Sequence, residues 1–373
     1  MPKKFLILAA VAVSGLALLL GFRFSSKRPA SQQQPLKLTA GTAQPKTPGD
    51  RLVVTAQNLI EREPSAAKGY NLLAAAYMQK ARETGDFSLN AKAEEALTYA
   101  EKSEPDGYDA LKLRAKLLLT YHRFAEVLEV ARRAQGRNPR DHDNYGAMTD
   151  ALVELGDYDG AVASAQAMVD LRPDTASYSR VSYLRELHGD SKGAVEAMRM
   201  AVEAASPNDP EGVAWCRVHL GDSLVRDGKP AEGEREYDHA LFGFPDYHVA
   251  LAAKARARLA AGVTDAAARF YKRAVGRVPL PEYAAALGDL YTKLGRVEEA
   301  GRQYELVEFV ESTGAQGGNY TRQLAMFLAD HDKKLDEALD VARRERAARR
   351  DIYTADLLAW CLYKKGQLAE AMA

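Results

Sequence analysis

Two Asp-His-Asp triplets, at residues 141–143 and 330–332, have the residue types most often found at metal sites. Carboxylates and imidazoles are common ligands of divalent cations. An EF-hand calcium loop is excluded for the first triplet, because its glycine position falls at Gly146 but Leu152 stands where a bidentate glutamate is required. The first triplet also falls at the start of a predicted helix, where aspartate typically caps backbone amides. We therefore predict a structural role and no bound metal.

The rest of the sequence contains no organised catalytic motif. It lacks the glycine-rich loop of dinucleotide-binding proteins, the P-loop, the H-E-x-x-H pattern of zinc proteases and the G-x-S-x-G turn of serine hydrolases. The seven histidines are scattered, and the two cysteines, Cys216 and Cys361, are too few for a disulfide scaffold or a cysteine-based zinc site. Both are predicted to be inert thiols. We expect no enzymatic activity, no cofactor and no small-molecule substrate.

The composition is typical of a folded protein without an overall charge preference. Of the 373 residues, 47% are hydrophobic and 27% are charged, which suffices for a sizeable core. The 51 basic residues balance 51 acidic residues. A formal net charge of zero gives no general attraction to nucleic acid or to anionic membranes. Nucleic acid is therefore not an expected partner.

The N-terminal residues resemble a membrane-targeting segment. Residues 5–22 contain no charged side chain, with lysines before them and Arg23 after them. At ~1.5 Å per residue, such a stretch has the minimum length for a helix that crosses ~30 Å of hydrocarbon. No small-x-small cleavage site follows, which favours an uncleaved signal anchor over a removed signal peptide. We predict a transmembrane or signal helix in residues 1–24 and an extracytoplasmic body, periplasmic or at the cell surface, which is secreted if the segment is cleaved.

Residues 25–50 are predicted to form a disordered linker. They are rich in Pro, Gln, Ser and Thr, contain no aromatic residue, and include a single acid, Asp50. Such a composition cannot form a packed core. A flexible coil of this length spans on the order of 25–30 Å, which would separate the body from the bilayer.

From Leu52 onward the sequence predicts an all-α fold built from repeats. Apolar residues recur with helical spacing, and the alternation typical of strands is not sustained. The chain also resembles itself at a period near 34 residues. Pro139 and Pro173 have this separation, as do Pro245 and Pro279.

Each unit carries small residues at the same places. A glycine such as Gly156 is expected to end the first helix in a left-handed conformation, and a small residue such as Ala161 lets two antiparallel helices approach closely. A proline stops the second helix. These features are most complete in residues 287–300, which read LGDLYTKLGRVEEA and are followed by Tyr304, and they resemble the tetratricopeptide repeat family. The resemblance implies a right-handed superhelical solenoid of tandem helix-turn-helix repeats.

The predicted solenoid spans residues 51–351 and starts with a half-repeat helix at residues 52–63. An incomplete final unit occupies residues 352–373. Either the natural chain continues past Ala373, or the short last helix covers the end of the solenoid and is expected to fray. Eight full units are expected to begin near Ala67, Tyr108, Asp141, Thr175, Gly212, His248, Pro281 and Gly318.

The first helices of such a solenoid are expected to line a concave groove. Both tryptophans fall on this face, where aromatic residues often anchor partners; alternatively, they merely fill gaps between adjacent first helices. Aspartates recur along the groove among a few basic residues, which suggests that the groove binds an extended peptide with some basic character. The candidate partner-binding residues are Asp150, Tyr183, Trp215, Asp222, Arg256, Asp289 and Trp360.

Arginines near the end of one second helix form another candidate surface. Arg343, Arg346 and Arg350 have few acids near them in the sequence and are expected on the convex, solvated side. They form either an ordinary solvated face or a docking strip for an acidic partner or phospholipid headgroups.

Together these patterns predict a membrane-tethered scaffold that binds protein or peptide partners in its groove. The alternative is a substrate-recruiting arm of a larger enzyme or secretion machine whose other domain lies beyond Ala373. A solenoid fold does not by itself decide between them.

Overall fold

The computed structural model describes residues 47–314 and 321–372, and these residues fold into nineteen α-helices with no β-strand among them. The predicted all-α class is therefore confirmed. The helices are α1 (Pro48–Arg62), α2 (Ala67–Thr84), α3 (Leu89–Ser103), α4 (Tyr108–Thr120), α5 (Phe124–Arg137), α6 (His142–Glu154), α7 (Tyr158–Leu171), α8 (Thr175–Leu187), α9 (Ser191–Ala204), α10 (Pro210–Arg226), α11 (Pro230–Gly243), α12 (His248–Ala260), α13 (Thr264–Arg277), α14 (Pro281–Lys293), α15 (Val297–Gly314), α16 (Thr321–Asp330), α17 (Leu335–Ala348), α18 (Ile352–Lys364) and α19 (Leu368–Ala371).

The helices pack in the order of the chain, as a helical repeat requires. After the half repeat α1, each first helix packs against its own second helix, from α2 with α3 to α18 with α19. First helices also contact the first helix of the next repeat, for example α10 with α12 and α14 with α16. We number these pairs repeat 1 (α2 and α3) to repeat 9 (α18 and α19). The core runs between the helices, and its fully buried side chains include Leu73, Leu117, Leu224, Leu287 and Leu357.

The predicted unit starts agree with the observed first helices to within three residues. Glycine explains why the two helices of a repeat can turn so tightly, since it adopts positive φ without steric cost. Repeats 2 and 8 lack this glycine, and His122 (φ 56°) and Asp332 (φ 53°) take the left-handed conformation there instead. The turn glycines, with φ between 70° and 79°, are Gly85, Gly156, Gly189, Gly228, Gly262, Gly295 and Gly366.

Aspartates fix where several helices begin. The side chains of Asp174, Asp209 and Asp351 each accept a hydrogen bond from a backbone amide in the first turn of the helix that follows. These amides have no partner within the helix, so each cap satisfies a donor that would otherwise face water or stay unpaired.

The predicted linker is wrong at its C-terminal end, because residues 48–50 belong to α1. Thr47 and Asp50 form a reciprocal capping box, and Pro48 occupies the first helical position. The amide of Gly49 donates to Glu83 of α2 at 3.1 Å. Composition alone suggested disorder here, whereas the local capping pattern specifies a helix start. The rest of the predicted linker and the predicted transmembrane segment lie outside the described residues.

Among the described residues, no helix has both the length and the apolar character that crossing a bilayer demands.

The solenoid curves until distant repeats touch at two places. At the first, a Cβ on Gly85 in the turn of repeat 1 would lie 2.2 Å from Cγ2 of Val278, between repeats 6 and 7. Arg82 also reaches Glu211 of α10 at 3.6 Å. At the second, residues 349–353, which form the turn after α17 and the first two residues of α18, contact α6 and α7. The first helices therefore face one another across an enclosed inner side.

Candidate functional site

Aromatic side chains from three first helices line a cleft on the inner side of the solenoid. Tyr183 belongs to α8, Trp215 and His219 to α10, and Tyr353 to α18. Together they border a cavity of about 310 Å³. We call these four residues the central cleft. Repeat 9 thus shares one cavity with repeats 4 and 5, although it is far from them in the sequence.

Trp215 is half-buried and has two roles in this cleft. One part of its ring packs against buried apolar residues of repeats 4 to 6, including Met198 and Val218. Its ring centroid lies 4.1 Å from that of His219. It also borders a second cavity of about 580 Å³ on the side of Arg180. Trp215 therefore fills a gap between helices and still presents surface to both cavities.

Burial keeps His219 and Tyr183 of the cleft uncharged at neutral pH. Burial lowers the pKa of His219, which keeps its imidazole neutral. Burial also raises the pKa of Tyr183, and a hydrogen bond to Tyr353 raises it further. The aromatic part of the wall thus carries no charge, while the rest of the lining includes two ion pairs, Asp150 with Arg180 and Glu186 with Arg226.

The predicted groove charges are paired between consecutive first helices. Arg180 makes a bidentate contact with Asp150, with nitrogen–oxygen distances of 2.8 and 2.6 Å. Asp222 lies 3.4 Å from Arg256. Further along, Glu186 pairs with Arg226 at 2.9 Å and Asp289 with His331 at 2.8 Å. Asp150, Asp222 and Glu186 thus each lie beside an arginine of a neighbouring first helix. The preference for a basic peptide stays a prediction.

Asp222 and Asp289 each also bind the second helix of their own repeat. Tyr237 donates its hydroxyl hydrogen to Asp222 at 2.7 Å, and Tyr304 donates to Asp289 at 2.8 Å. Burial raises the pKa of Tyr237, and the adjacent carboxylate of Asp222 adds to the effect. These aspartates therefore join a first helix to its own second helix as well as to the next repeat.

Asp222 and Arg256 border a different cavity from Trp215. This cavity, of about 720 Å³, lies between repeats 5 and 6 and is lined by small apolar residues such as Ala253, Ala257 and Ala260. Methyl side chains leave the space open because none of them reaches across it. The structure thus brings Asp150, Tyr183 and Trp215 to one cavity and places Asp222 and Arg256 at its neighbour.

Trp360 and Asp289 border neither of these cavities. The indole of Trp360 donates to Asp330 at 2.9 Å and stacks on Tyr363 with ring centroids 5.4 Å apart. Lys364 lies over the same indole, 5.5 Å from its centroid. Trp360 therefore packs between repeats 8 and 9, and the two tryptophans do not border the same cavity.

The predicted arginine strip is not one continuous helical face. Arg343 is exposed and lies 3.9 Å from Glu370, while Arg346 donates to the backbone carbonyl of Asp351 at 3.4 Å. Arg350 lies beyond the end of α17. Its neighbour Arg349 is buried, with 4% of its surface exposed. The expectation that all three arginines lie on one second helix is wrong for Arg350, because α17 ends at Ala348. Arg343 and Arg350 are both exposed, and their docking role stays a prediction.

Two lysines form ion pairs with the aspartates of the first Asp-His-Asp triplet. The ligand atoms of Asp141, His142 and Asp143 lie within 4.8 Å of one another. Lys112 contacts both aspartates, at 2.6 and 3.1 Å, and Lys116 contacts Asp143 at 3.1 Å. Burial opposes ionisation of Asp143, but the two ammonium groups together lower its pKa. Since these ammonium groups stand where a cation would bind, the geometry fits a structural cluster rather than a metal centre.

The thiols of Cys216 and Cys361 are buried and do not form a disulfide. Burial raises the pKa of Cys216 to about 12 and that of Cys361 to about 11. Thiolate is therefore scarce at neutral pH, which matches the inert thiols expected from the sequence.

Sequence reasoning missed His219 and, although it placed Tyr353 on the groove face, it missed the contact of Tyr353 with Tyr183. His219 follows Trp215 by one helical turn, so helical spacing could have identified it. The approach of Tyr353 to Tyr183 has no local signal, because it depends on how far the solenoid curves over five repeats.

Comparisons with known proteins agree with this architecture. Residues 147–210 and 219–280, within repeats 3 to 6, match the family model of the tetratricopeptide repeat. Protein FlbA of Caulobacter vibrioides is 27% identical over 138 residues, which make up 36% of this chain and 23% of FlbA. The match thus spans about a quarter of that relative's length.

Two solved structures resemble the solenoid. A monomeric IFIT1 mutant with m7Gppp-AAAA has a TM-score of 0.56 at 13% identity, covering 86% of this chain and 74% of that one. The APC/C hetero-tetramer Cut9-Hcn1 has a TM-score of 0.55 at 14% identity, covering 84% of this chain and 58% of that one. At such identities the likeness establishes the fold alone. The described residues form an all-α solenoid, and residues 147–210 and 219–280 within it match the tetratricopeptide repeat.

Proposed function

We propose that this protein is a membrane-tethered scaffold that binds a polypeptide partner in the central cleft. The observation that supports this most is the convergence of Tyr183, Trp215, His219 and Tyr353 on one cavity. Aromatic side chains with accessible surface contribute large contact areas at low entropic cost and are enriched at binding hot spots. Tetratricopeptide repeats are typical of protein–protein interaction, which agrees with this proposal.

The chemistry of the cleft favours a partner recognised by shape and apolar contact rather than by net charge. Asp150 and Glu186, which border the cavity, are paired with Arg180 and Arg226. A ligand that broke these pairs would leave partly buried charges without a partner, which is unfavourable. The ligand that fits is an extended peptide whose apolar or aromatic side chains enter the space beside Trp215.

Intrinsic fluorescence offers a direct test. The protein contains two tryptophans, so Trp360→Phe leaves Trp215 as the sole tryptophan whose emission can be followed. In this background we expect a peptide library to yield ligands that shift Trp215 emission and saturate. Tyr183→Ala should weaken binding of such a peptide by at least tenfold, because it removes one wall of the cleft. The matched control is Phe242→Ala on α11, whose side chain is 91% exposed. If Tyr183→Ala and Phe242→Ala bind equally well, the cleft is not the binding site.

The tether is proposed from the sequence of residues 5–22. Its uncharged length and flanking basic residues support a signal anchor and an extracytoplasmic body. We expect the full chain to stay with membranes during carbonate extraction and a chain lacking residues 1–24 to be released. Protease added to intact cells should digest the solenoid only after the outer barrier is opened, or directly if the body is on the cell surface. Release of the full chain by carbonate would refute the tether.

A further inference from the structure

The turn between repeats 8 and 9 closes onto repeats 2 and 3, and we call residues 349–353 the latch. Its backbone is bound directly, because the amide of Arg350 donates to the carbonyl of Glu154 at 3.1 Å. The amide of Ile352 donates to the hydroxyl of Tyr158 at 3.0 Å. These contacts connect residues almost 200 positions apart, so they are specific to the curved form of the solenoid.

The side chain of Arg349 anchors the latch. Its guanidinium carbon lies 4.8 Å from the centroid of the Phe124 ring, and its Nη1 lies 3.5 Å from Oε2 of Glu154. Cation–π contacts of this kind gain strength when they are desolvated, and Arg349 is buried. Burial and the nearby Arg349 and Arg322 lower the pKa of His122 to about 4, so this imidazole adds no positive charge beside Arg349 at neutral pH.

The latch also depends on a glycine in repeat 3. A Cβ built on Gly156 would lie 2.5 Å from the carbonyl oxygen of Arg350, a backbone atom that cannot move without the latch. Gly189 holds the same turn position in repeat 4 with nearly the same φ, 79° against 78°, but a Cβ there would meet nothing within 4 Å. The two glycines thus share a backbone conformation and differ in the contact with the latch.

The latch leads directly into the central cleft. Asp351 caps α18, and Tyr353 lies in the first turn of this helix, where it borders the cavity with Trp215. We infer that the latch is an intramolecular gate: when it is closed, Tyr353 covers the cleft, and a partner reaches Trp215 fully only after the latch leaves Glu154 and Tyr158. This inference rests on the proposed function for the nature of the partner, but the gate itself is measurable without a partner.

The test compares Gly156→Ala with Gly189→Ala in the Trp360→Phe background. Both substitutions force alanine into a left-handed turn, so both carry the same local strain. We expect the amide of Arg350 to exchange hydrogen at least tenfold faster in Gly156→Ala than in Gly189→Ala. The rate at which acrylamide quenches Trp215 should rise about twofold in Gly156→Ala alone. If Gly156→Ala does not fold, a second pair replaces it: Arg349→Met and the exposed control Arg343→Met. Amide exchange at residue 350 and acrylamide quenching of Trp215 should then both be faster in Arg349→Met than in Arg343→Met.

Each outcome separates the gate from the binding function. Equal amide exchange in the two glycine variants would show that the contact does not hold the latch, and faster exchange with unchanged acrylamide quenching would show that the latch does not control access. Either result overturns the gate. If exchange and quenching both rise but no library peptide binds any variant, the gate stands and the proposed function fails. Faster association of a library peptide with Gly156→Ala than with Gly189→Ala would support both.

Discussion

The crossing of α10 and α11 provides a sharp test of how glycine sets the helix spacing in this solenoid. A Cβ added to Gly233 would lie 2.5 Å from the carbonyl oxygen of Gly221 and 2.8 Å from Cγ2 of Val225. The first of these neighbours is backbone, so the strain of Gly233→Ala can be relieved only by moving α10 away from α11. The equivalent residues of other repeats, such as Ala161 and Ala267, show that alanine is tolerated where the facing helix leaves room.

The magnitude follows from two opposing effects. Overpacking of a close contact costs about 3 kcal/mol when the neighbour is rigid, at the upper end of the usual range. Replacing a glycine by alanine inside a helix returns about 1 kcal/mol. We therefore expect Gly233→Ala to lower the free energy of unfolding by about 2 kcal/mol. Gly301→Ala is the matched control, because Gly301 lies within α15 and a Cβ there would meet nothing within 4 Å. It should raise the free energy of unfolding by about 1 kcal/mol.

The assay is urea unfolding followed by circular dichroism, with hydrogen exchange of α10 and α11 to locate the effect. Exchange is needed because a long repeat array can unfold in parts, so a single global transition is not assured. Faster exchange in Gly233→Ala should be confined to repeat 5 and its neighbours. The reasoning fails if Gly233→Ala and Gly301→Ala change the unfolding midpoint in the same direction.

Three further outcomes are expected from the buried groups. Burial lowers the pKa of His248 to about 4 in the folded state, so the unfolded chain takes up a proton first as the pH falls from about 6.5 towards 4, and stability is lost over that window. His248→Gln should reduce this loss, by roughly 2 kcal/mol in urea titrations at pH 7 and pH 4, and an unchanged pH profile would contradict the assignment. A thiol reagent such as DTNB should label neither Cys216 nor Cys361 in the native protein at pH 7 and both in urea; rapid native labelling would show that the thiols are accessible. Zinc should leave the melting temperature unchanged, because Lys112 already neutralises the triplet that contains His142, and a rise of several degrees would reveal a metal site.

The closed form of the solenoid changes how its groove is understood. An open solenoid would present one continuous trough, along which charged positions could read a long peptide. Here the ion pairs of Asp150 and Asp222 join consecutive repeats, and Tyr353 borders the space beside Trp215. The accessible surface is therefore divided into separate cavities. A partner that inserts one or two side chains fits this arrangement better than one that follows the whole groove.

The repeat register was predictable from the sequence because it depends on local constraints. Left-handed turns need glycine at positions such as Gly228 and Gly295, and helices stop at prolines such as Pro245. These constraints act within a few residues, so their spacing appears directly in the sequence. The start of α1 was missed although it too is local, because the capping box of Thr47 and Asp50 lies inside a stretch whose composition is typical of disorder.

The candidate site was predictable only in part. Helical periodicity placed Tyr183 and Trp215 on the same side of successive first helices, and the structure brings them to one cavity. The same periodicity placed Trp360 there too, but its indole packs on Tyr363 and bonds to Asp330. Periodicity specifies the side of a helix from which a residue projects. It does not specify which neighbour the side chain meets.

The sequence by itself determined the helical class, the number of hairpins and the turn positions, since each follows from backbone sterics and apolar periodicity over about 34 residues. Only the tertiary structure decided that Arg349 packs on Phe124 and that Tyr353 reaches Tyr183. The reason is that the curvature of a solenoid is the sum of small rotations between neighbouring repeats. No single repeat encodes that sum, so contacts between repeats far apart in the chain emerge only when all the rotations are combined.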